Sequence, residues 1–343
     1  MTLRRPPAAA LTAATVILTL SACGGGSHSS RSGATSPGQS PGVPSASSFP
    51  SAKGRTIAQI TRGLGPGPIL APTVEQFDPG TNRYGFALFT SARKLISGIP
   101  VALYVERTGT ANVTGPYVAG QQSMQVKPQF QSLTVKNDPE AAKALYVTSV
   151  KFPKPGVYAV LAVAKLDGRL VSTQPIGAKT LAQDPVPKVG EIAPKIDTPT
   201  VASVHGNIAS IDTRQPHDDM HQVNFADAYR KKPIVLVFST PALCQSRVCG
   251  PVTDIAEEVE HEQKPGSVAF IHNEIYIDNQ IKPGCLEGTR PLAQCYRPQF
   301  LAYNLRSEPW AFAIDRHGRV AARLEGAYSK PELEAAVRQA LAR

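Results

Sequence analysis

The sequence predicts two folded domains of different class, an all-β domain followed by an α/β domain. Between residues 55 and 182, short apolar runs alternate with turn signals, which is the pattern of antiparallel strands. Further along, the continuous apolar run 234–238 predicts a buried strand, and it leads into Cys244 and Cys249. Apolar residues then recur at helical spacing, at Val248, Val252, Ile255 and Val259. A chain of 343 residues is long enough for about two domains at roughly 100–200 residues each.

Residues 1–22 have the pattern of an export signal. Arg4 and Arg5 form a basic start, and residues 8–20 are mostly apolar but too short for a membrane span of about 20 residues. The run ends in Leu-Ser-Ala-Cys at residues 20–23. This ending resembles the lipobox of bacterial lipoproteins, which implies cleavage before Cys23 and diacylglycerol on its sulfur. We therefore expect a protein that is lipid-anchored at the extracytoplasmic face of a bacterial cell membrane. An ordinary signal peptide or an uncleaved anchor is the alternative.

Residues 23–54 are dominated by Gly, Ser, Pro and Ala, so we predict a disordered tether. The net charge of +10 comes from scattered Lys and Arg without a long run, and aromatic residues make up only 6% of the chain. A nucleic-acid surface needs clustered cations, so the composition argues against nucleic acid as a partner. Attraction to anionic lipid explains the positive charge more simply.

The all-β domain is predicted over residues 55–182. Its strands are expected at 73–77, 83–90, 101–106, 144–152 and 157–165. This spacing indicates an antiparallel sandwich, and the absence of cysteines here excludes an inter-sheet disulfide. The segment FPKPGVYAVLAVAKLDG, residues 152–168, resembles the last hairpin of immunoglobulin-like bacterial surface domains. Since this range contains no catalytic cluster, we expect a spacer or a partner-binding module.

A Pro-rich linker at 183–199 precedes the α/β domain at 200–343. We expect strands at 207–213 and 267–272 and a short helix at 297–305. A hairpin should follow over 311–324, and the capping-box sequence that begins at Ser329 predicts the start of a final helix.

Two histidines, His217 and His221, lie four residues apart with two carboxylates between them. No helix is predicted there and no third ligand is evident, so we interpret the stretch as a polar surface loop. We predict neither a metal nor another cofactor.

Four cysteines remain after Cys23 is assigned to lipid. They allow three connectivities, of which the two local pairings are the most economical. Cys285 and Cys295 have no strand leading into them, so we predict a structural disulfide that closes an insertion loop. A second redox pair is the alternative.

The order strand, cysteine helix, strand, helix, hairpin, helix resembles the thioredoxin fold, most closely the extracytoplasmic TlpA-like proteins. The match rests on the apolar strand into Cys244, the segment EPWAFAIDRHGRV at 308–320, and the terminal helix. In that family a cis-proline begins the hairpin strand beside the redox cysteines, and Pro309 has that position. The resemblance implies that Pro309 presents backbone hydrogen-bonding groups to an extended substrate chain.

The cysteine spacing departs from the family, because Cys244 and Cys249 are separated by four residues instead of two. Cys249-Gly250-Pro251 copies the first three letters of the thioredoxin motif, which makes Cys249 one candidate for the attacking thiol. The other candidate is Cys244, with Cys249 as the resolving thiol. Because Val248 shares the phase of the helix, we expect the helix to begin before Cys249, and we favour Cys244.

These features predict a thiol–disulfide oxidoreductase whose partners are extracytoplasmic protein thiols or disulfides. Arg247 lies inside the motif, where a cation could lower the pKa of either cysteine, although a merely solvated side chain is the alternative. Trp310 is expected either to line a peptide groove beside Pro309 or to pack in the core.

Three other functions stay open at this point. The spacing resembles that of peroxiredoxin Q, but Val237 and Pro241 stand where that family has Pro and Thr or Ser, and Thr240 is one residue out of place. Sco-type copper chaperones pair two cysteines with a distant histidine, for which His272 is a candidate. The third is a scaffold whose Cys244–Cys249 bridge is purely structural.

Overall fold

The computed structural model describes residues 44–343, which form two facing, mostly antiparallel sheets and a third, mixed sheet with helices. The predicted signal peptide and Cys23 lie outside the described residues. Among residues 44–343, no helix is both long and apolar enough to span a bilayer.

The first half of the described chain is all-β apart from two short helices. Its elements are α1 (Ile57–Thr61), β1 (Gly65–Pro66), β2 (Ile69–Pro72), β3 (Gly80–Phe89), β4 (Leu95–Ile96), β5 (Val101–Arg107), β6 (Val113–Val118), β7 (Gly120–Ser123), α2 (Leu133–Asn137), β8 (Ala144–Phe152), β9 (Gly156–Leu166), β10 (Arg169–Ser172) and β11 (Ile176–Thr180). One sheet has the order β1-β10-β9-β5-β6 with β11 beside β9, and the other has the order β2-β3-β8-β7 with β4 beside β3.

An apolar core lies between these two sheets, with Phe86 and Val150 from one and Leu103 and Val160 from the other. A sandwich is therefore present, and its immunoglobulin-like character stays a prediction. The predicted strand at 73–77 is wrong, because the pairing strand β2 ends at Pro72.

Residues 44–54 were predicted as part of the disordered tether, and here the structure differs. Phe49 and Ala52 are only 6% and 4% exposed, and the Tyr104 hydroxyl donates to the Pro50 carbonyl at 2.6 Å. The outer face of β5 and β9 is apolar, and this segment covers it. Burial of that face favours order over the flexibility that the local composition suggests.

The second half contains the mixed sheet. Its elements are α3 (Phe225–Ala228), β12 (Ile234–Phe238), α4 (Cys249–His261), β13 (Ala269–Asn273), α5 (Pro298–Ala302), β14 (Trp310–Ile314), β15 (Val320–Glu325) and α6 (Lys330–Leu341). The strand order is β13-β12-β14-β15, with β12 parallel to β13 and the other pairs antiparallel. This order and these directions are those of the thioredoxin fold, so the predicted fold is confirmed.

Strand β12 is the centre of this sheet and is buried on both faces. Val235 and Val237 pack with α4 and α6, while Leu236 and Phe238 pack in a second cluster on the opposite face. The Ser329 capping box is present at the start of α6, as the sequence predicts.

Three segments of this half differ from expectation. The stretch 217–221 is not a surface loop, because Asp218, Met220 and His221 are at most 2% exposed. The predicted strand at 207–213 is wrong, since that range holds only a 3₁₀ turn at Ile208–Ser210. The range 183–199 is not a free linker: Val186 and Ala193 are 1% exposed in the core, and the Val320 N–H donates to the Glu191 carbonyl at 2.9 Å. Apolar residues between the prolines account for this packing.

The sandwich and the thioredoxin-fold domain are packed against each other. Met124 and Leu145 of the sandwich belong to the same apolar cluster as Val252 of α4. The Arg83 guanidinium also donates two hydrogen bonds to the Glu332 carboxylate on α6, at 2.6 and 2.9 Å. This packing places the sandwich beside the start of α4, where the cysteines lie.

Candidate functional site

A disulfide joins Cys244 to Cys249 at the point where β12 gives way to α4. Cys249 is the first residue of α4 and is fully buried, whereas Cys244 lies in the preceding turn and is partly exposed. Arg247, between them, has a φ of 56° in the left-handed region, and its N–H donates to the Cys244 carbonyl at 3.3 Å. The turn thus returns the chain and brings the two cysteines together, with Cα atoms 5.9 Å apart.

The expectation that α4 begins before Cys249 is wrong. Val248 is only the N-cap, and the left-handed Arg247 prevents the helix from extending further back. The partial positive charge of the helix start therefore lies at Cys249, while Cys244 is the sulfur that an incoming group can reach. Accessibility, not helix position, is the argument for Cys244 as the attacking thiol, and that assignment stays a prediction.

Pro309 has the position that the resemblance implies. The Glu308–Pro309 peptide bond is cis, and Trp310, which begins β14, pairs with Phe238 at the end of β12. The Pro309 carbonyl accepts a hydrogen bond from the Gly326 N–H at 2.8 Å. The proline therefore lies at the same end of the sheet as the cysteine turn.

Glu308 is a site residue that the sequence analysis missed. One of its carboxylate oxygens lies within 4.8 Å of the sulfurs of both Cys244 and Cys249. Burial raises the pKa of Glu308 to about 8, and hydrogen bonds from Thr240 oppose the rise only in part. Its Oε2 has no hydrogen-bond partner among residues 44–343. The signal for it was its place directly before the predicted cis-proline.

Arg247 and Trp310 have other partners than the sulfurs. The Arg247 guanidinium donates to Asp138 Oδ1 at 3.0 Å and to Glu140 Oε2 at 2.6 Å, both on the sandwich. The Trp310 ring is buried and stacks on Phe312 with centroids 5.6 Å apart. Of the two alternatives for Trp310, the structure places it in the core.

His272 is fully buried at β13 and does not group with the cysteines. Its Nδ1 lies 2.8 Å from Asp218 Oδ2 and its Nε2 lies 2.9 Å from the Ser239 carbonyl. Both partners only accept, so both nitrogens donate and the ring is an imidazolium. Burial lowers the pKa of His272, but the carboxylates around it outweigh burial and raise it to about 10. Both nitrogens are thus occupied.

Two cavities flank the cysteine turn, and the sandwich lines both of them. The first, of about 440 Å³, has apolar sandwich residues such as Ile69 and Phe89 on one side and Val248 and Glu308 on the other. The second, of about 570 Å³, reaches Cys244 itself and is bounded by residues 134–141 of the sandwich. The sandwich therefore shapes the approach to the disulfide.

No family model and no curated protein matches this chain. Among solved structures, a putative thiol:disulfide interchange protein DsbE from Chlorobium tepidum is 18% identical, covers 45% of this chain and 99% of its own, and has a TM-score of 0.30. A thioredoxin family protein from Chlorobium tepidum TLS, also described as a thiol:disulfide interchange protein, is 17% identical, covers 45% and 98%, and has a TM-score of 0.30. A thioredoxin-like superfamily protein is 21% identical, covers 36% and 87%, and has a TM-score of 0.29. The fold assignment rests on the strand order.

Proposed function

We propose that this protein is a thiol–disulfide oxidoreductase that acts on extracytoplasmic proteins through Cys244 and Cys249. One observation carries the proposal: a partly exposed cysteine is bridged to a buried one at a helix start, with Glu308 and Pro309 beside the bridge. A purely structural bridge would not require a carboxyl and an accessible sulfur at the same place.

In the reduced protein, the Cys244 thiolate attacks one sulfur of a substrate disulfide. A mixed disulfide forms, and the other substrate sulfur leaves as a thiolate. Cys249 then loses its proton and attacks the Cys244 sulfur, which releases the second substrate sulfur. Two electrons pass to the substrate, and the Cys244–Cys249 bond is the product. The reverse sequence oxidises substrate thiols.

The chain's own groups suit each step. The unpaired N–H groups at the start of α4 stabilise a thiolate at Cys249. Glu308 lies within 4.8 Å of both sulfurs, and its pKa of about 8 is close to that of a thiol, so it can take and return the Cys249 proton. A carboxyl of ordinary pKa would be too weak a base for this role.

The sandwich supplies the surface that receives the substrate. Its apolar residues Ile69 and Phe89 line the 440 Å³ cavity that Glu308 also lines. Ile69 is 52% exposed, which is high for a large apolar side chain of a folded domain. In this proposal the sandwich is a partner-binding module, and lipidated Cys23 holds the protein at the extracytoplasmic face of the membrane.

The test is trapping of mixed disulfides combined with insulin reduction. The Cys249→Ser variant should accumulate mixed disulfides with protein substrates, since the resolving thiol is missing. The Cys244→Ser variant should trap far fewer, because the accessible sulfur is gone, and both should lose insulin reduction. The double variant Cys285→Ser/Cys295→Ser is the matched control, which removes the other bridge and should retain activity.

Two results would contradict this proposal. No insulin reduction by the wild type, with a Cys244–Cys249 bridge that resists dithiothreitol, would assign the bridge to structure alone. Preferential trapping by Cys244→Ser would keep the activity but reverse the roles of the two cysteines.

A further inference from the structure

A cluster of buried polar side chains lies near the cysteine turn, where the loop 212–221 packs on β13. Asp212, Asp218, His221 and His272 are each at most 2% exposed, and their ligand-type atoms all lie within 4.8 Å of one another. The proposed exchange reaction uses none of them. Such a concentration of buried ionisable groups requires a physical reason.

Backbone N–H groups hold the two carboxylates in place. Asp212 accepts from the Arg214 N–H at 2.7 Å and from the Asp218 N–H at 2.9 Å. Asp218 accepts from the Met220 N–H at 3.0 Å, and its second oxygen accepts from the His272 imidazolium at 2.8 Å. Both carboxylates are thus oriented by the fold.

His221 is the exception in this cluster. It is fully buried, and neither of its ring nitrogens has a hydrogen-bond partner within residues 44–343. Its Nε2 lies 3.5 Å from Asp218 Oδ1 and 3.8 Å from Asp212 Oδ2. A buried polar group without a hydrogen-bond partner is unfavourable. We therefore infer that the His221 Nε2 has a partner that is not a protein group.

Two of the three separations in this cluster, 3.4 and 3.5 Å, fit a shared metal ion better than hydrogen bonds, and the third is wider at 3.8 Å. On the outer side of the cluster, His217 Nδ1 lies 3.4 Å from Asp212 Oδ2, and it also has no hydrogen-bond partner among residues 44–343. Hydrogen bonds to nitrogen cluster near about 2.9–3.0 Å. Two ligands at about 2.0–2.1 Å from a tetrahedral Zn²⁺ are roughly 3.3–3.4 Å apart.

We propose that Asp212, Asp218 and His221 bind a divalent first-row cation of the Zn²⁺ class, with His217 as the fourth ligand. Carboxylate oxygen and imidazole nitrogen are ligands that Zn²⁺ takes. His272 is a positioning residue, because both its nitrogens already donate. The His217 side chain is 24% exposed, so an ion can reach the cluster from solvent on this side.

The composition of the cluster supports a cation. Two carboxyl groups, Asp212 and Asp218, meet in a buried place, and His272 is bonded to Asp218 alone. Arg214, the nearest buried cation on the same loop, is paired with Asp254 and Glu257 on α4 instead. A divalent ion would pair with both carboxyl groups and satisfy His221 at once.

The site is connected to the cysteine turn. Thr213, next to Asp212, accepts a hydrogen bond from the Ala242 N–H at 3.1 Å. His272 also donates to the Ser239 carbonyl, and the Ser239 hydroxyl donates to the Cys249 carbonyl at 3.2 Å. A bound ion would therefore rigidify Thr213 and Ser239, which are hydrogen-bonded to the cysteine turn.

The experiment is Zn²⁺ titration of the metal-stripped, oxidised full chain after free thiols are blocked with iodoacetamide. In this form both bridges are closed, so sulfur cannot supply the ligands. We expect one equivalent to bind and to raise Tm reversibly, with EDTA restoring the starting value. His221→Ala should weaken the affinity by more than about 100-fold, and Asp212→Asn should do the same if His221→Ala does not fold.

His261→Ala is the matched control. His261 belongs to a separate group with Asp219 and Glu257, in which His261 and Asp219 are exposed and the His261 Nε2 lies 3.2 Å from Asp219 Oδ2. That variant should bind as the wild type does. Absence of binding at micromolar Zn²⁺, unchanged affinity in the cluster variants, or loss of binding in His261→Ala would overturn the proposal. Insulin reduction, measured separately, distinguishes this outcome from failure of the exchange activity.

Discussion

The Glu308→Gln substitution tests the environment of the cysteine pair directly. In the folded protein burial raises the pKa of Glu308 from the ordinary 4.5 to about 8. Glutamine keeps the shape of the side chain but cannot ionise. The comparison of wild type and variant therefore isolates the free energy of ionising this one carboxyl.

The upward shift of the Glu308 pKa determines how the unfolding free energy changes with pH. A carboxyl whose pKa is higher in the folded state stabilises that state fully below the unfolded pKa, and this contribution is lost as the pH rises through the folded value. Between pH 5 and pH 8, with values of 4.5 and about 8, the unfolding free energy of the wild type should fall by about 3–4 kcal/mol relative to that of Glu308→Gln.

The measurement is urea unfolding of the oxidised full chain at pH 5, 6, 7 and 8, for both proteins. Other buried carboxyls with raised pKa values, such as Glu325, are present in both and cancel in the difference. Glu287→Gln, which changes an exposed carboxyl in the same way, is the matched control. A wild-type-minus-variant difference that does not change with pH would refute the raised pKa of Glu308, and with it the proton transfer from Cys249 to Glu308.

Three further variants probe the framework around the site. The double variant Cys285→Ser/Cys295→Ser should lose about 2–3 kcal/mol of unfolding free energy, measured in urea, because a ten-residue loop is no longer closed. Arg214→Met should cost about 3–5 kcal/mol in the same assay, since it leaves a buried carboxylate without its cation, and a loss under 1 kcal/mol would contradict that account. Gly326→Ala should lower the Tm clearly: the glycine has a φ of +68°, and a Cβ there would lie 1.5 Å from the Thr73 carbonyl oxygen. The positive φ alone costs roughly 1–3 kcal/mol, so an unchanged Tm would be the contrary result.

Local sequence patterns were sufficient to predict the elements whose apolar side chains recur at a regular spacing. The run Ile234–Phe238 is a strand buried on both faces, and the Ser329 box begins the last helix. The bridge between Cys285 and Cys295 also formed as predicted from their proximity. In each case the signal is contained in one short contiguous stretch of the sequence.

The sequence was misleading where distant packing overrides composition. Residues 44–54 and 183–199 are rich in small residues and proline, yet Phe49 and Val186 are buried in cores built by other segments. The strand expected at 207–213 failed for the converse reason, because that loop is held by polar contacts such as those of Asp212 rather than by pairing in a sheet.

The cysteines and the proline of the candidate site were predicted from the sequence, but the side chains around them were not. Cys244, Cys249 and Pro309 could be named from motif and order, since each occupies a fixed place in the fold. Glu308 could not be assigned a role, because its raised pKa depends on burial by segments far away in the chain. Arg247 likewise has partners, Asp138 and Glu140, more than 100 residues distant, at a separation of 109 and 107.

The sequence by itself determined the thioredoxin-type order of strands and helices and the two cysteine pairs, because hydrophobic period and local spacing are properties of contiguous residues. Only the tertiary structure decided where α4 begins, which cysteine is accessible, and that the sandwich flanks the turn. It also decided that Asp212, His221 and His272 meet, which no spacing indicates. Burial and convergence of polar groups are set by contacts between distant segments, so they become visible only once the chain is folded.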